Sequence, residues 1–220
     1  MFRIKICGIT NIDDARAAID SGADALGLNF YAKSKRRVAS DIAPQIASAV
    51  PNSIFRVGVF VNHSPDQIQE IAAQIHPSHI QPHGDESPQF LNNLPATTKV
   101  IRAYRCGAGG LAPLVTYIEE CRALGRAPDA VLIDADAGAA YGGTGHTADW
   151  TSIVNEREML RGIPLILAGG LTPTNVAAAI DAVRPDAVDV ASGVEREPGK
   201  KDRDLINRFI GAAREAFSRI

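Results

Sequence analysis

Two residues in this sequence combine a proton-transfer side chain with a place at the end of a short apolar run. Cys7 closes the run FRIKIC and lies two residues from Lys5, so both side chains fall on one face of an extended strand. A nearby lysine favours the thiolate, the form of cysteine that acts as a base. A cysteine in an apolar run is also often an inert core residue, so both roles stay open. Cys106 and Cys121 lack such a setting and are expected to be structural.

Asp134 is the second candidate, because it ends the apolar run AVLID and is followed by Asp136 on the same face. A carboxyl group in a partly closed site can hold its proton and act as a general acid. Carboxylates at strand ends are also commonly solvated, or they cap the next loop. The residues alone leave these roles open.

Three glycine-containing turns follow one another late in the chain: YGGTGHT at 141–147, AGGLTPTNV at 168–176 and ASGVE at 191–195. Glycine lets backbone N–H groups approach a ligand closely, and such groups bind anions. Any one of these motifs could simply permit a tight turn. Three in succession favour a phosphate site, and none is a Walker loop, since GxxxxGK[ST] is absent.

A cluster of positive charge, KSKRR, occupies residues 33–37. Arginine pairs bidentately with a carboxylate, so this segment is a candidate substrate anchor, although a solvated charge cluster is the simpler interpretation. The sequence does not discriminate among Lys33, Lys35, Arg36 and Arg37.

The elements that must position these residues alternate between strands and helices. Eight apolar or β-branched runs are each followed by a segment of helical period. The runs are FRIKIC, DALGLNF, FRVGVFV, HIQPHG, TKVIRAYR, AVLIDAD, PLILAGG and AVDVASG. The expected helices are 12–20 after Asn11, 40–50 after Ser40, 64–75 after Ser64, a short one near 87–93, 112–124, 148–158, 173–183 starting at Pro173, and 202–218.

This alternation predicts an α/β fold in which a parallel sheet is covered on both faces, because runs such as VLI and LIL are continuously apolar. Eight strands suit a closed (β/α)8 barrel of the phosphate-binding type better than a doubly wound sheet. We expect one domain over residues 1–220. The active site of such a barrel lies at the carboxyl ends of its strands, where Cys7, Asp134 and the glycine turns would meet.

Composition argues against several other classes of protein. The chain has 23 basic and 25 acidic residues, a net charge of −2 and 5% aromatic residues, so no nucleic-acid partner is expected. No apolar run approaches the ~18 residues that span a bilayer, and no export signal is recognisable, so we expect a cytoplasmic protein with reduced thiols. His76 and His79 are separated by Pro77 and lack further ligands, so no metal is expected.

Several segments together are similar to the motif series of the phosphoribosylanthranilate isomerase family. They occur in the family's order and span nearly the whole chain. The segments are KICGIT (5–10), ALGLNFYAKSKR (25–36), VGVFVN (57–62), IQPHGDE (80–86), LIDADAGAAYGGTGHTADW (132–150), LILAGGLTPTNV (165–176) and VDVASGVEREPGKKD (188–202).

The resemblance implies a cofactor-independent isomerase of tryptophan biosynthesis. The reaction would be an Amadori rearrangement of a sugar phosphate, in which an aminoaldose becomes an aminoketose. By the resemblance, Cys7 is the general base, Asp134 the general acid and Arg36 the residue that holds the anthranilate carboxylate. The phosphate would lie on Gly143, Gly145, Gly169, Gly170, Ser192 and Gly193.

The chain departs from the family's usual motifs at Pro82, His146, Ala148 and Ala191. Pro82 removes a donor from an interior strand, so a local bulge is expected there. Two alternative functions are a different sugar-phosphate isomerase or epimerase, including a metal-dependent one, and a silent sugar-phosphate-binding protein. The presence of both Cys7 and Asp134 favours the phosphoribosylanthranilate isomerase reaction over a silent binding protein. The chain is expected to be a monomer or a homodimer.

Overall fold

A computed structural model of the chain describes residues 1–107, 109–135 and 150–220. Eight parallel strands, each paired with the next along the chain, form a closed barrel, and the eighth pairs with the first. This confirms the predicted (β/α)8 barrel. The strands are β1 (Ile4–Cys7), β2 (Ala25–Asn29), β3 (Phe55–Phe60), β4 (His79–Pro82), β5 (Lys99–Arg105), β6 (Ala130–Asp134), β7 (Leu165–Ala168) and β8 (Ala187–Val190).

Helices connect most of the strands on the outside of the barrel. They are α1 (Ile12–Asp20), α2 (Ala43–Ala49), α3 (Pro65–Ile75), α4 (Ala112–Ala123), α5 (Trp150–Glu156), α6 (Val176–Val183) and α7 (Arg203–Phe217). Between β4 and β5 the connection is a short 3₁₀ helix, Pro88–Asn93. Within the described ranges, no helix has the length and apolar character needed to cross a membrane.

Side-chain capping explains where some helices begin. Ser64 caps the start of α3, as the sequence predicted, and Gln67 completes a reciprocal capping box with it. Two predicted starts are wrong. The α2 helix begins at Ala43, because the carbonyl of Ala39 accepts from the first amides and Ser40 makes no cap. The α6 helix begins at Val176, because residues 172–175 form a turn before it.

Successive side chains along each strand point alternately to the helices outside the barrel and into its interior. Ile4 and Ile6 point outward and pack under the helices, whereas Lys5 and Cys7 point into the barrel. The lower part of the interior is apolar and contains Phe2, Ala25, Val57, Ile101, Ala103, Ala130, Leu132, Ile166, Ala168 and Ala187. One polar side chain, His79, lies among these residues with its ring against Phe2 and Phe55, whereas Lys5, Gln81 and Asp189 lie nearer the carboxyl ends of the strands.

The strands are not joined equally around the barrel. The β2–β3 and β5–β6 junctions each contain five residue pairs, but the β4–β5 and β7–β8 junctions each contain two. The bulge expected at Pro82 is wrong, because β3 and β4 stay in register through the pair Phe60 and Pro82. Pairing with β5 instead ends at Ile80, and Arg102 donates to the Pro82 carbonyl at 3.3 Å.

A small antiparallel hairpin follows β8 and was not predicted. A 3₁₀ turn at Ser192–Val194 leads into β9 (Glu195–Glu197), which pairs with β10 (Lys200–Lys201). Asp202 then caps α7 by accepting from the amides of Asp204 and Leu205. The hairpin lies beside the carboxyl end of β1, since Thr10 donates to the Gly199 carbonyl at 2.6 Å.

Candidate active site

A pocket opens at the carboxyl ends of the strands, and it collects most of the candidate residues. Its lining includes Cys7, Asn29, Ser34, Arg36, Gln81, His83, Asp134, Gly169, Gly170, Asp189 and Ser192. Gly193 lies next to Ser192 in the same turn. Gly143, Gly145, His146, Ala148 and Asp136 lie outside the described residues. The predicted thiol, carboxylate, guanidinium and two of the three glycine turns therefore share one pocket.

The Cys7 thiol fits into this pocket because the neighbouring strand has no side chain at the facing position. A Cβ at Gly27 would lie 2.6 Å from the Cys7 sulfur and 3.1 Å from Cε of Lys5, which is too close for either contact. Gly27 pairs directly with Cys7 in the β1–β2 register. The space for the thiol is thus provided by the sequence of β2, a feature that the sequence analysis missed.

Beneath the thiol, Lys5 is fully buried and its ammonium is held by the barrel interior. Its Nζ donates to Asp189 Oδ1 at 2.9 Å and to Gln81 Oε1 at 3.0 Å. Burial acts to lower the pKa of Lys5, but Asp189 and Cys7 raise it above its ordinary value. Lys5 is therefore a permanent ammonium.

The protonation state of Cys7 differs from the expectation drawn from Lys5. Burial raises the pKa of the thiol above its usual value, and the charge of Asp189 raises it further. Lys5 and Lys201 lower this pKa but do not offset the first two effects. The sequence correctly places Lys5 near Cys7, but the predicted thiolate is wrong because the burial of the thiol and the charge of Asp189 together outweigh the two lysines. In the free protein Cys7 is mainly a thiol.

Asp134, at the end of β6, is buried, and His83 lies beside it at the end of β4. The Nε2 of His83 is 3.9 Å from Asp134 Oδ2 and finds no hydrogen-bond partner within the described ranges. Burial lowers the pKa of His83 to about 3, with further contributions from Lys5, Arg102 and Arg105. The imidazole is therefore neutral at physiological pH and places no positive charge next to Asp134.

Arg36 is the member of the basic cluster that reaches the pocket. Its side chain crosses Gly8, where a Cβ would lie 2.9 Å from Cδ of Arg36. Glu195 accepts two hydrogen bonds from it, from Nε and from Nη2, both at 2.8 Å. Nη1 makes no hydrogen bond to the described part of the chain. The guanidinium is thus fixed in orientation while one edge stays available to a ligand carboxylate.

The two described glycine turns bring backbone groups to the same pocket. Gly169 and Gly170 have φ values of +88° and +62°, a region that side chains disfavour. Asn175 ties this loop together by donating to the Gly170 carbonyl at 2.9 Å and accepting from the Thr172 amide. A Cβ at Gly193 would overlap the Leu171 carbonyl oxygen, so the two turns touch.

Asp189, Glu195 and Lys201 are among the polar residues of the site that were not assigned roles from the sequence. Each of them hydrogen-bonds a partner that is more than 100 positions away or that lies in the unpredicted hairpin. Local spacing in the sequence therefore could not identify them. Among residues 1–107, 109–135 and 150–220, no group of three His, Cys, Asp or Glu side chains is arranged to hold a metal ion.

Comparison with known proteins agrees with this geometry. Residues 4–212 match the family model described as N-(5'-phosphoribosyl)anthranilate (PRA) isomerase. A relative of that name from Thermotoga petrophila is 44% identical over 214 residues, covering 97% of this chain and 99% of the relative.

Solved structures give the same result. The crystal structure of phosphoribosyl anthranilate isomerase from Thermotoga maritima is 41% identical, covers 98% of this chain and all of that chain, and has a TM-score of 0.86. A second crystal structure, of a phosphoribosyl anthranilate isomerase in complex with reduced 1-(o-carboxyphenylamino)-1-deoxyribulose 5-phosphate, has 40% identity, a TM-score of 0.83 and the same coverage. The chain therefore belongs to the phosphoribosylanthranilate isomerase family.

Proposed function

We propose that this protein is a phosphoribosylanthranilate isomerase of tryptophan biosynthesis, and that its single barrel unit carries the whole reaction. The reaction is the Amadori rearrangement of N-(5-phosphoribosyl)anthranilate to 1-(2-carboxyphenylamino)-1-deoxyribulose 5-phosphate. The observation that carries the proposal is one pocket lined by Cys7, Asp134, Arg36 and two glycine turns. Membership of the family adds independent support.

The acid step is assigned to Asp134. In its protonated form this carboxyl donates to the furanose ring oxygen as the C1–O bond breaks, and the anthranilate nitrogen forms a Schiff base with C1. The neutral His83 ring, 3.9 Å away, supports this role because it adds no cation that would favour the carboxylate.

The base step is assigned to Cys7. Its thiolate removes the proton from C2 of the sugar, and the electron pair neutralises the Schiff base to give an enolamine, which tautomerises to the ketone. Placed proton-transfer groups contribute roughly a hundred- to ten-thousandfold each. The ammonium of Lys5 is positioned to stabilise the thiolate when it forms.

The two ends of the substrate would be held by different parts of the rim. Arg36 is proposed to bind the anthranilate carboxylate. The backbone of Gly169, Gly170, Ser192 and Gly193, together with Gly143 and Gly145, is proposed to bind the phosphate. These anchors orient the reacting carbons between acid and base. A reducing cytoplasm is the proposed location, since the three cysteines are free thiols.

The test is a fluorescence assay of the purified protein with freshly made phosphoribosylanthranilate. Consumption of this substrate should lower its emission at a rate proportional to protein concentration. A silent sugar-phosphate-binding protein would bind the reduced product analogue without turnover, and a metal-dependent epimerase would lose activity on treatment with a chelator. Either result would overturn the proposal.

A further inference from the structure

One buried carboxylate joins the two anchors proposed for the substrate. Glu195 accepts from Nε and Nη2 of Arg36 at 2.8 Å each, and its Oε1 also accepts from Lys201 Nζ at 2.8 Å. The same ammonium donates to the carbonyl of Ala191 at 3.0 Å. Ala191 opens the turn that continues through Ser192 and Gly193. A continuous chain of hydrogen bonds therefore runs from the guanidinium to this turn.

The two charged side chains at the centre of this hydrogen-bond chain are buried, which restricts their positions. The side chain of Glu195 is 4% exposed and that of Lys201 is fully buried. Burial alone would raise the pKa of Glu195, but the hydrogen bond from Arg36 and the charge of Lys201 hold it below its usual value. Charge-assisted bonds of this kind are strong, and a buried charge that loses its partner is costly. The network therefore favours a single arrangement.

The hairpin that carries this network is itself tied to the start of the barrel. The backbone amide of Lys201 donates to Asp14 of α1 at 2.9 Å, and Thr10 donates to the Gly199 carbonyl. Glu195 and Lys201 thus have a fixed position relative to β1, where Cys7 lies.

We propose that Glu195 and Lys201 form a brace that fixes the position of Arg36 relative to the 191–193 turn, and that this brace selects substrates carrying a carboxylate and a phosphate at one set separation. The inference rests on the proposed function and makes Glu195 a positioning residue. Because Glu195 occupies the Nε–Nη2 edge of Arg36, a substrate carboxylate would meet the Nη1 side of the fork.

The test compares Glu195→Gln with Glu197→Gln. Glu197 is two residues away on β9, but it is 56% exposed and pairs with Lys200 at the surface. We expect Glu195→Gln to raise KM for phosphoribosylanthranilate about tenfold or more while kcat changes by less than about threefold. Glu197→Gln should match the wild type. The double variant R36M/E195Q should bind the reduced product analogue about as weakly as R36M alone.

Binding of a second ligand distinguishes a loss of Arg36 positioning from general damage to the fold. Ribose 5-phosphate carries the phosphate but no carboxylate, so its inhibition constant should change less than about threefold in Glu195→Gln. An equal loss of affinity for ribose 5-phosphate and for the reduced analogue would overturn the inference. So would a KM in Glu195→Gln equal to that in Glu197→Gln.

A paired variant covers the case in which Glu195→Gln does not fold. E195M/K201M removes both buried charges together, which proteins tolerate better than the loss of one. It should show at least the same rise in KM, and a wild-type KM in this variant would overturn the inference. A wild-type protein without turnover would overturn the proposed function and the brace together, whereas normal turnover with unchanged variants overturns the brace alone.

Discussion

The ammonium of Lys5 lies 2.9 Å from the carboxylate of Asp189, and both groups are buried in the barrel beneath Cys7. The two residues occupy the same register position on the adjacent strands β1 and β8. Closing the barrel is therefore what creates the ion pair, because β1 and β8 are the first and last strands along the chain.

Removing one member of this pair should be strongly destabilising. Lys5→Met leaves the Asp189 carboxylate buried without its counter-ion, which costs about 3–5 kcal/mol of unfolding free energy, to be measured by urea denaturation. K5M/D189N should recover part of that loss. Lys200→Met, which breaks an exposed pair, should change stability by less than about 1 kcal/mol. Equal losses from the two lysine variants would contradict this account.

Replacing the proposed base should separate folding from catalysis. Cys7→Ser changes the side-chain volume little, but an alkoxide is far less accessible than a thiolate, so turnover should fall by at least about a hundredfold with normal unfolding behaviour. Cys106→Ser applies the same change at the end of β5 and should leave turnover intact. Near-normal activity of Cys7→Ser would remove Cys7 as the base.

The raised pKa of Cys7 predicts how its reactivity depends on pH. Because only the thiolate reacts, alkylation of Cys7 by iodoacetamide should still be rising at pH 9 and reach half its maximum above the ordinary value of 9.0. Peptide mass spectrometry would follow Cys7 specifically. Asp189→Asn removes a charge that raises this pKa, so the midpoint should move to lower pH. A wild-type midpoint below the ordinary value would show that Lys5 dominates after all.

Asp134→Asn tests the proposed acid. The amide keeps the size of the side chain but cannot deliver a proton, so kcat should fall by at least about two orders of magnitude. Binding of the reduced, ring-opened analogue, measured by calorimetry, should persist because that ligand needs no protonation of the ring oxygen. Asp136→Asn should do much less. Similar losses from the two aspartate variants would mean that the acid is misassigned.

His83 predicts part of the acid sensitivity of the fold. Its pKa is about 3 in the folded protein and about 6.5 when unfolded, so the unfolded state binds a proton first as pH falls. This contribution to stability is therefore complete well above pH 6.5 and is lost towards pH 3, by about 3 kcal/mol near pH 4.5. His83→Asn should lose correspondingly less stability between pH 7 and 4.5 in urea titrations. His76→Asn, at an exposed helix end, should behave like the wild type.

The sequence predicts the location of a site residue correctly when that location depends only on the residue's position within one strand. Cys7 and Asp134 each end an apolar run, and strand ends of a parallel barrel meet, so their common pocket could be predicted. Arg36 could not be separated from its three basic neighbours, because that choice depends on Gly8 and Glu195, which are distant in sequence. The pKa of Cys7 was mispredicted for a similar reason, because the burial of the thiol and the approach of Asp189 both arise only when the barrel closes.

The unequal strand junctions divide the barrel into two arcs. Only two residue pairs join β4 to β5, and only two join β7 to β8. One arc therefore contains strands β5, β6 and β7, and the other contains β8 and β1 to β4. Asp134 and the Gly169–Gly170 turn belong to the first arc, whereas Cys7, Arg36 and the 191–193 turn belong to the second. Neither arc alone carries all the proposed anchors or both proposed proton-transfer groups. The proposed catalysis therefore requires the closed ring, and activity should appear only when the two arcs are joined.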